Sequence, residues 1–257
     1  TAAHLSFAYP GGTDIYEDIT FSAKPGQIIG VTGAVASGKS TFGKTFLCEY
    51  PYQGSIRFAG RELNEMGNSV LTGTIGYLGH DPELFDDSIK NNILMGENED
   101  TETYLKAVCF DREVAEMEQG PDTGVGSGGV RLSGGQAKRL ALARTLCHKR
   151  PVLILDDPFS ALDRNTEQEV YTNLKAMTSD SIVILLSHRL YLFPEMDQVI
   201  WMEHGHAAVG THEEIMEKYP EYARLYEEQT KGSTAEKVNA GKCAETEQGR
   251  KERGRAE

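Results

Sequence analysis

The sequence lacks the features that would place it within a membrane, on a nucleic acid or outside the cell. None of its apolar runs exceeds five residues, Val152–Leu155 and Ile182–Leu186 being typical. A bilayer span takes about 20 apolar residues, so no segment is expected to cross a membrane by itself. Positive charge is scarce: 26 Lys and Arg against 39 Asp and Glu leave a net −13 over 257 residues. From Lys231 onward seven basic and five acidic residues give +2, so residues 1–230 carry −15. That balance argues against DNA, RNA or anionic lipid as the main partner. It still allows a local phosphate site built from backbone amides and one lysine. Four separated cysteines (Cys48, Cys109, Cys147, Cys243) form no CxxC pair and read as reduced cytosolic thiols, not a zinc site. No secretory signal is visible, and the chain opens at Thr1, so we expect it to be processed or cut from something longer.

What remains is an ordinary globular composition, 39% hydrophobic and 25% charged, long enough for one large domain. Leu5–Tyr9 and Ile15–Phe21 alternate like strands around the turn Pro10-Gly11-Gly12. Ile28–Val31, Val152–Leu155 and Ile182–Leu186 read as short strands buried on both faces. Gly54–Leu63 reads as another hairpin, and Ile75–Leu78 as strand. Helices are expected from Ser40 to about Glu49, over Glu102–Cys109, Arg112–Glu118 and Gly135–His148, and at about Thr166–Met177. Strands alternating with helices predict a parallel sheet, and the early hairpins an antiparallel addition. Residues 231–257 hold almost no apolar side chains and are expected to be a disordered tail or an appended remnant.

Three segments carry chemistry. Gly33-Ala34-Val35-Ala36-Ser37-Gly38-Lys39-Ser40 satisfies G-x-x-x-x-G-K-[ST], directly after a buried strand and opening a helix. Its glycines let backbone amides turn inward around phosphate oxygens, helped by the positive helix end. Lys39 can reach the outer phosphates and the Ser40 hydroxyl can ligate magnesium; Thr41 is counted with the loop as a nucleotide contact. Leu153-Ile154-Leu155-Asp156-Asp157 ends a buried strand on two carboxylates, delivered to the sheet edge that carries the phosphate loop. Asp156 would hold magnesium and Asp157 would face the attacking water. The plainer alternative is a pair of solvated aspartates before Pro158. The third segment, Leu132-Ser133-Gly134-Gly135-Gln136, is another helix start made of small residues and a hydroxyl, suited to a second phosphate contact.

At this point the sequence resembles the nucleotide-binding domain of ABC transporters. Leu-Ser-Gly-Gly-Gln is that family's signature, and average composition would produce it by chance in only a few of every ~10,000 chains of this size. The likeness covers about residues 4–228 in the family's order. It implies an α/β fold, a RecA-like P-loop NTPase core with an antiparallel β subdomain and an α-helical subdomain at about 81–148, in one cassette over 1–230. It implies Mg2+ and ATP as ligands, and head-to-tail pairing with a second nucleotide-binding domain, identical or different. The remaining partner it implies is a transmembrane domain, with the cassette on the cytoplasmic face of the plasma membrane and no nucleic acid involved. By the same resemblance Tyr9 matches the aromatic residue that stacks on adenine, and His188 the switch histidine at the γ-phosphate. Ser133, Gly134, Gly135 and Gln136 would contact the partner's nucleotide, and Ser160-Ala161-Leu162-Asp163 the partner cassette. Asp87–Ile93 and Asp122–Gly129 resemble segments of the exporter branch, although Gly124 stands where a glutamate is usual. His204, His206 and His212 lie in what resembles the family's turn into its C-terminal helix, so we read no metal site there.

Two positions depart from the pattern. The family's catalytic glutamate is Asp157 here, one methylene shorter, and a misplacement of about 1 Å can cost about 100-fold in rate. Its glutamine falls at His80, whose nitrogen suits magnesium less well than oxygen does, so His80 is read either as a ligand through water or as a group positioning the attacking water. Together they predict weak hydrolysis at this chain's own site, as in the degenerate half of a heterodimeric exporter. The rivals are a nucleotide-binding regulatory module without useful turnover and a non-transport ABC ATPase. The latter expects a second cassette or a coiled-coil insertion. A simple P-loop kinase has no use for the signature segment.

Overall fold

The computed structural model describes residues 1–126, 128–203 and 205–231. Ser127, His204 and the expected tail from residue 232 lie outside the described residues. Strands β1 (Ala2–Ala8) and β2 (Asp14–Phe21) pair antiparallel across the turn closed by Gly12 N–H to Tyr9 O at 2.9 Å. Strand β3 (Ile28–Gly33) feeds the phosphate loop and helix α1 (Lys39–Thr45). Next come β4 (Gln53–Phe58), β5 (Arg61–Glu62), helix α2 (Asn68–Thr74) and β6 (Ile75–Leu78). A mainly helical stretch holds β7 (Asp87–Ser88), α3 (Ile89–Leu94), α4 (Thr101–Ala107), α5 (Asp111–Ala115), β8 (Gly124–Val125) and α6 (Gly134–Cys147). The chain then returns to the sheet with β9 (Val152–Asp156), α7 (Arg164–Met177) and β10 (Ile182–Leu186). It finishes with the antiparallel pair β11 (Gln198–Glu203) and β12 (His206–Gly210), then α8 (His212–Lys218) and a helix α9 over 220–231.

Among the described residues ten strands make one sheet in the order β5-β4-β1-β2-β12-β11-β3-β10-β9-β6. The half from β11 to β6 is parallel and the β1–β5 end antiparallel. This is the α/β P-loop architecture, and its two cores follow from the strand pleat. Leu153, Leu155, Val183 and Leu185 face the core shared with the helical stretch, α6 and α7. Val152, Ile154, Ile184 and Leu186 face the core under α1, β1 and β2. Both faces are covered, so these strands are apolar at every position up to Asp156, where β9 reaches the sheet edge. Helix α7 buries Glu167, Val170, Tyr171 and Leu174 at helical spacing, and Asp163 caps it by accepting the Asn165 and Thr166 N–H groups.

The structure departs from the sequence reading most at α1 and β11. Helix α1 stops at Thr45 and not near Glu49, because Phe46, Leu47 and Cys48 bond to the carbonyls three residues back and Cys48 turns left-handed at φ 55°. Strand β11 was not anticipated, although Val199-Ile200-Trp201-Met202 is a buried apolar run like the other central strands. It lies parallel to β3, and the Asp197 carboxylate accepts the Ile28 N–H at 2.8 Å. The two exporter-like segments come together as well: Asp87 pairs with Val125 and Ser88 with Gly124, and Ile89 N–H donates to Thr123 O at 3.0 Å.

Candidate nucleotide-binding site

Strands β6, β9, β10 and β3 are neighbours and parallel, so their C-terminal ends reach one edge of the sheet. The register aligns Leu78 with Leu155, Asp156 with Leu186, and Leu186 with Val31. The residues just past each strand end are therefore delivered to one place. A cleft of about 260 Å3 there is lined by Lys39, Ser40, His80, Asp156, Asp157, Leu186, Ser187 and His188. All six of the polar residues that the sequence singled out at this edge line it.

The loop before α1 depends on glycine at both ends. A Cβ on Gly33 would fall on the Met202 carbonyl of β11, and one on Gly38 (φ 94°) would stand 2.5 Å from Ile15 Cγ2. Gly33→Ala should therefore lower the free energy of unfolding by about 2–3 kcal/mol, as overpacking against fixed backbone does; a denaturant melt reads this directly. Between them Ala34, Val35 and Ala36 are exposed, with Ala36 left-handed at φ 64°. Lys39 is only 8% exposed. Its ammonium donates to Gly33 O (3.0 Å), Ala34 O (2.7 Å) and Ser37 Oγ (3.4 Å), which holds it at the mouth of the loop. Burial lowers its pKa to about 8, against the opposing pull of Asp156 and Asp157.

Asp156 is 6% exposed at the end of β9. Asp157 leaves the strand in the left-handed conformation (φ 51°), its N–H donating to Leu186 O at 2.8 Å. Aspartate is among the few side chains that adopt this backbone readily. Its Oδ2 lies 3.8 Å from His80 Nδ1. Burial, then the Lys39 charge, lowers the His188 pKa, so the imidazole is neutral at physiological pH.

Magnesium prefers hard oxygens and often takes only one or two from protein, the rest from phosphate and water. Ser40 Oγ and the Asp156 carboxylate lining one cleft fit that demand, and His80 is a poorer donor. Among the described residues no group of three or more His, Cys, Asp and Glu could hold a metal alone. His212 packs against Tyr222 and Tyr226, its Nδ1 2.7 Å from the Tyr222 hydroxyl.

Tyr9 arrives from the β1–β2 turn. Its hydroxyl stands 3.5 Å from Thr41 Oγ1, over the first turn of α1, and its ring is 41% exposed. Tyr50, which the sequence reading passed over, packs edge-on against it at 5.6 Å and is 48% exposed. The available signal was a tyrosine beside Pro51, where the chain leaves α1. Ser133, Gly134, Gly135 and Gln136 do not line the cleft. They open α6 as a capping box: Ser133 Oγ accepts Gln136 N–H at 3.2 Å and Gln136 Oε1 accepts Ser133 N–H at 2.9 Å. Both Ser133 and Gly134 are exposed, and Gln136 Nε2 donates to Glu113 at 2.8 Å.

The chain is 36% identical over 246 residues, 93% of its length, to a probable multidrug resistance ABC transporter ATP-binding/permease protein of Bacillus subtilis. It is also 36% identical over 232 residues to an ATP-dependent lipid A-core flippase of Pseudomonas aeruginosa. It spans 42% and 38% of those proteins, less than half of either. The solved structure of a bacterial Atm1-family ABC exporter with ATP bound superposes with a TM-score of 0.82 at 28% identity, covering 89% of this chain and 42% of that one. A family model described as ABC transporter matches residues 16–160, more than half of the chain, and with the P-loop fold and the cleft it supports one conclusion: the chain belongs to the ABC transporter family.

Proposed function

We propose that this chain is the nucleotide-binding domain of an ABC exporter. It binds Mg-ATP and pairs head to tail with a second such domain, so that binding and hydrolysis move an attached membrane domain. Residues 1–230 form the cassette, with its helical part at about 81–148, and it works at the cytoplasmic face of the membrane. No helix of the described residues is long and apolar enough to cross a membrane. The observation that carries this reading is a division of labour. One sheet edge gathers Lys39, Ser40, His80, Asp156, Asp157 and His188 in a cleft, while Ser133 and Gly134 sit exposed at a separate helix start.

In this reading the loop amides of Gly33–Ser40, with Thr41, cradle the phosphates and Lys39 contacts the outer two. Ser40 and Asp156 hold magnesium, which when bound offsets charge on the phosphate oxygens. Asp157 orients the attacking water, with His80 beside it, and neutral His188 donates to the γ-phosphate. Tyr9, backed by Tyr50, stacks on adenine. Ser133 Oγ accepts one bond within the capping box and keeps its own proton to donate to the nucleotide of the partner cassette.

Assembly tests this. With saturating Mg-ATP and hydrolysis suppressed, light scattering should find a dimer. Ser133→Arg should leave a monomer, because the long side chain fills the contact. Ser133→Ala, which loses the same cap at about 1 kcal/mol but adds no bulk, is the control for stability. A monomer at high protein and nucleotide would sink the homodimer and direct the test to a different cassette as partner.

A further inference from the structure

Beside the cleft lies a polar network whose own side chains are not assigned to nucleotide and which meets the site at the backbone of His188. Arg189 follows His188 and grips three oxygens on two other elements. Its Nη2 donates to Ser160 O (3.3 Å) and Leu162 O (3.5 Å), in the loop between β9 and α7. Its Nη1 lies 3.1 Å from Glu167 Oε2 on α7. Glu167 is fully buried; Tyr191 O–H donates to the same oxygen, and Glu167 Oε1 has no hydrogen-bond partner among the described residues. From the other side Gln229 of α9 holds both peptides flanking Arg189. Its Nε2 donates to His188 O at 2.8 Å and its Oε1 accepts Leu190 N–H at 2.8 Å. The Ser160 hydroxyl in turn takes a bond from Lys138 of α6, the helix opened by Ser133.

Stability alone does not call for this arrangement. A buried ion pair is commonly no more stable than two apolar residues filling the same volume. What an arginine fork adds is direction: rigid donors that fix the relative position of the groups they bind. Here the groups are the loop Ser160–Leu162, helix α7 and the backbone of His188. We propose that Arg189, anchored by Glu167 and bracketed by Gln229, is a positioning residue that sets where His188 stands relative to the γ-phosphate, and that the C-terminal helix α9 acts on the site through it. The inference rests on the reading of His188 given above.

The test is binding, which needs no turnover. Wild type, Gln229→Leu, the charge-neutral pair Arg189→Met with Glu167→Gln, His188→Ala, and His188→Ala with Gln229→Leu are titrated with AMP-PNP and with ADP, each with magnesium. Arg189→Met alone is avoided, because it would strand a buried carboxylate. Only AMP-PNP carries a γ-phosphate. Gln229→Leu and the neutral pair should each weaken AMP-PNP about fivefold, the equivalent of one ordinary hydrogen bond, and leave ADP unchanged. In the His188→Ala background Gln229→Leu should add nothing, since the two changes remove one interaction. Unchanged AMP-PNP affinity, equal weakening of both nucleotides, or a loss that persists without His188 would each overturn the proposal. If His188→Ala itself leaves AMP-PNP affinity intact, the role given to His188 falls first, and that outcome is distinct from the others.

Discussion

Replacing Lys39 by methionine should weaken Mg-ATP binding by about 10- to 100-fold, the value of a charge-assisted phosphate contact. Methionine keeps the buried stem and removes the ammonium, so calorimetry on a folded variant isolates the charge. Undiminished affinity would remove the basis for the phosphate-loop assignment. The same side chain predicts a pH dependence. Its pKa in the folded chain is about 8, lowered from 10.5 chiefly by burial. Below pH 8 the folded protein carries a desolvated ammonium that the unfolded chain would hydrate. Between about pH 8 and 10.5 the folded state sheds that proton first, so stability rises with pH there, by on the order of 3 kcal/mol at most. Nucleotide affinity should move the other way, falling above pH 8 as the cation that meets phosphate is lost. The informative quantity is the difference between wild type and Lys39→Met, in which every other titrating group cancels.

Sequence alone revealed the parts that depend on local rules. The phosphate loop needs glycine, lysine and serine at fixed spacing next to a buried strand, and both neighbours were readable as such. The helix start at Ser133 is likewise a short local pattern, small residues and a hydroxyl ahead of a helix. The parts that stayed hidden depend on pairing across the chain. Strand β11 takes its place because β3 offers an unpaired edge and Asp197 reaches Ile28, 169 positions away. Tyr50 matters only because Tyr9 folds against it, and Arg189 only because Ser160, Glu167 and Gln229 converge on it. No composition or periodicity signals such convergence. The left-handed backbone of Asp157 is a further case. It reflects the exit from β9 toward Leu186 O, and it gives aspartate at this position a conformational reason that a motif comparison does not contain.

That backbone shapes the expected result for the acidic residue itself. The isolated chain should hydrolyse ATP slowly, and Asp157→Glu should raise the rate by roughly 10-fold or more. The carboxylate must orient a water in line with the γ-phosphate, and the added methylene carries it about 1 Å farther into the cleft. Its present oxygen stands 3.8 Å from His80 Nδ1, outside hydrogen-bond range, so a longer acid also has room to engage the residue opposite. The change has a separate cost: glutamate tolerates a φ of 51° less well than aspartate, which should reduce stability by about 1 kcal/mol. Rate and melting temperature should therefore move in opposite directions, a signature that general stabilisation of the fold would not produce. His80→Gln should add to the gain, because an amide oxygen serves magnesium and water better than an imidazole nitrogen. The comparison belongs at saturating Mg-ATP and at protein concentrations where the dimer forms, since a monomer would hide the chemical step. Fast hydrolysis by the unmodified chain, with Asp157→Glu making no difference, would show that Asp157 already reaches the water from its left-handed backbone. The idea of a degenerate site would then be dropped, and an ATP-driven exporter cassette with an aspartate as its acid would stand in its place.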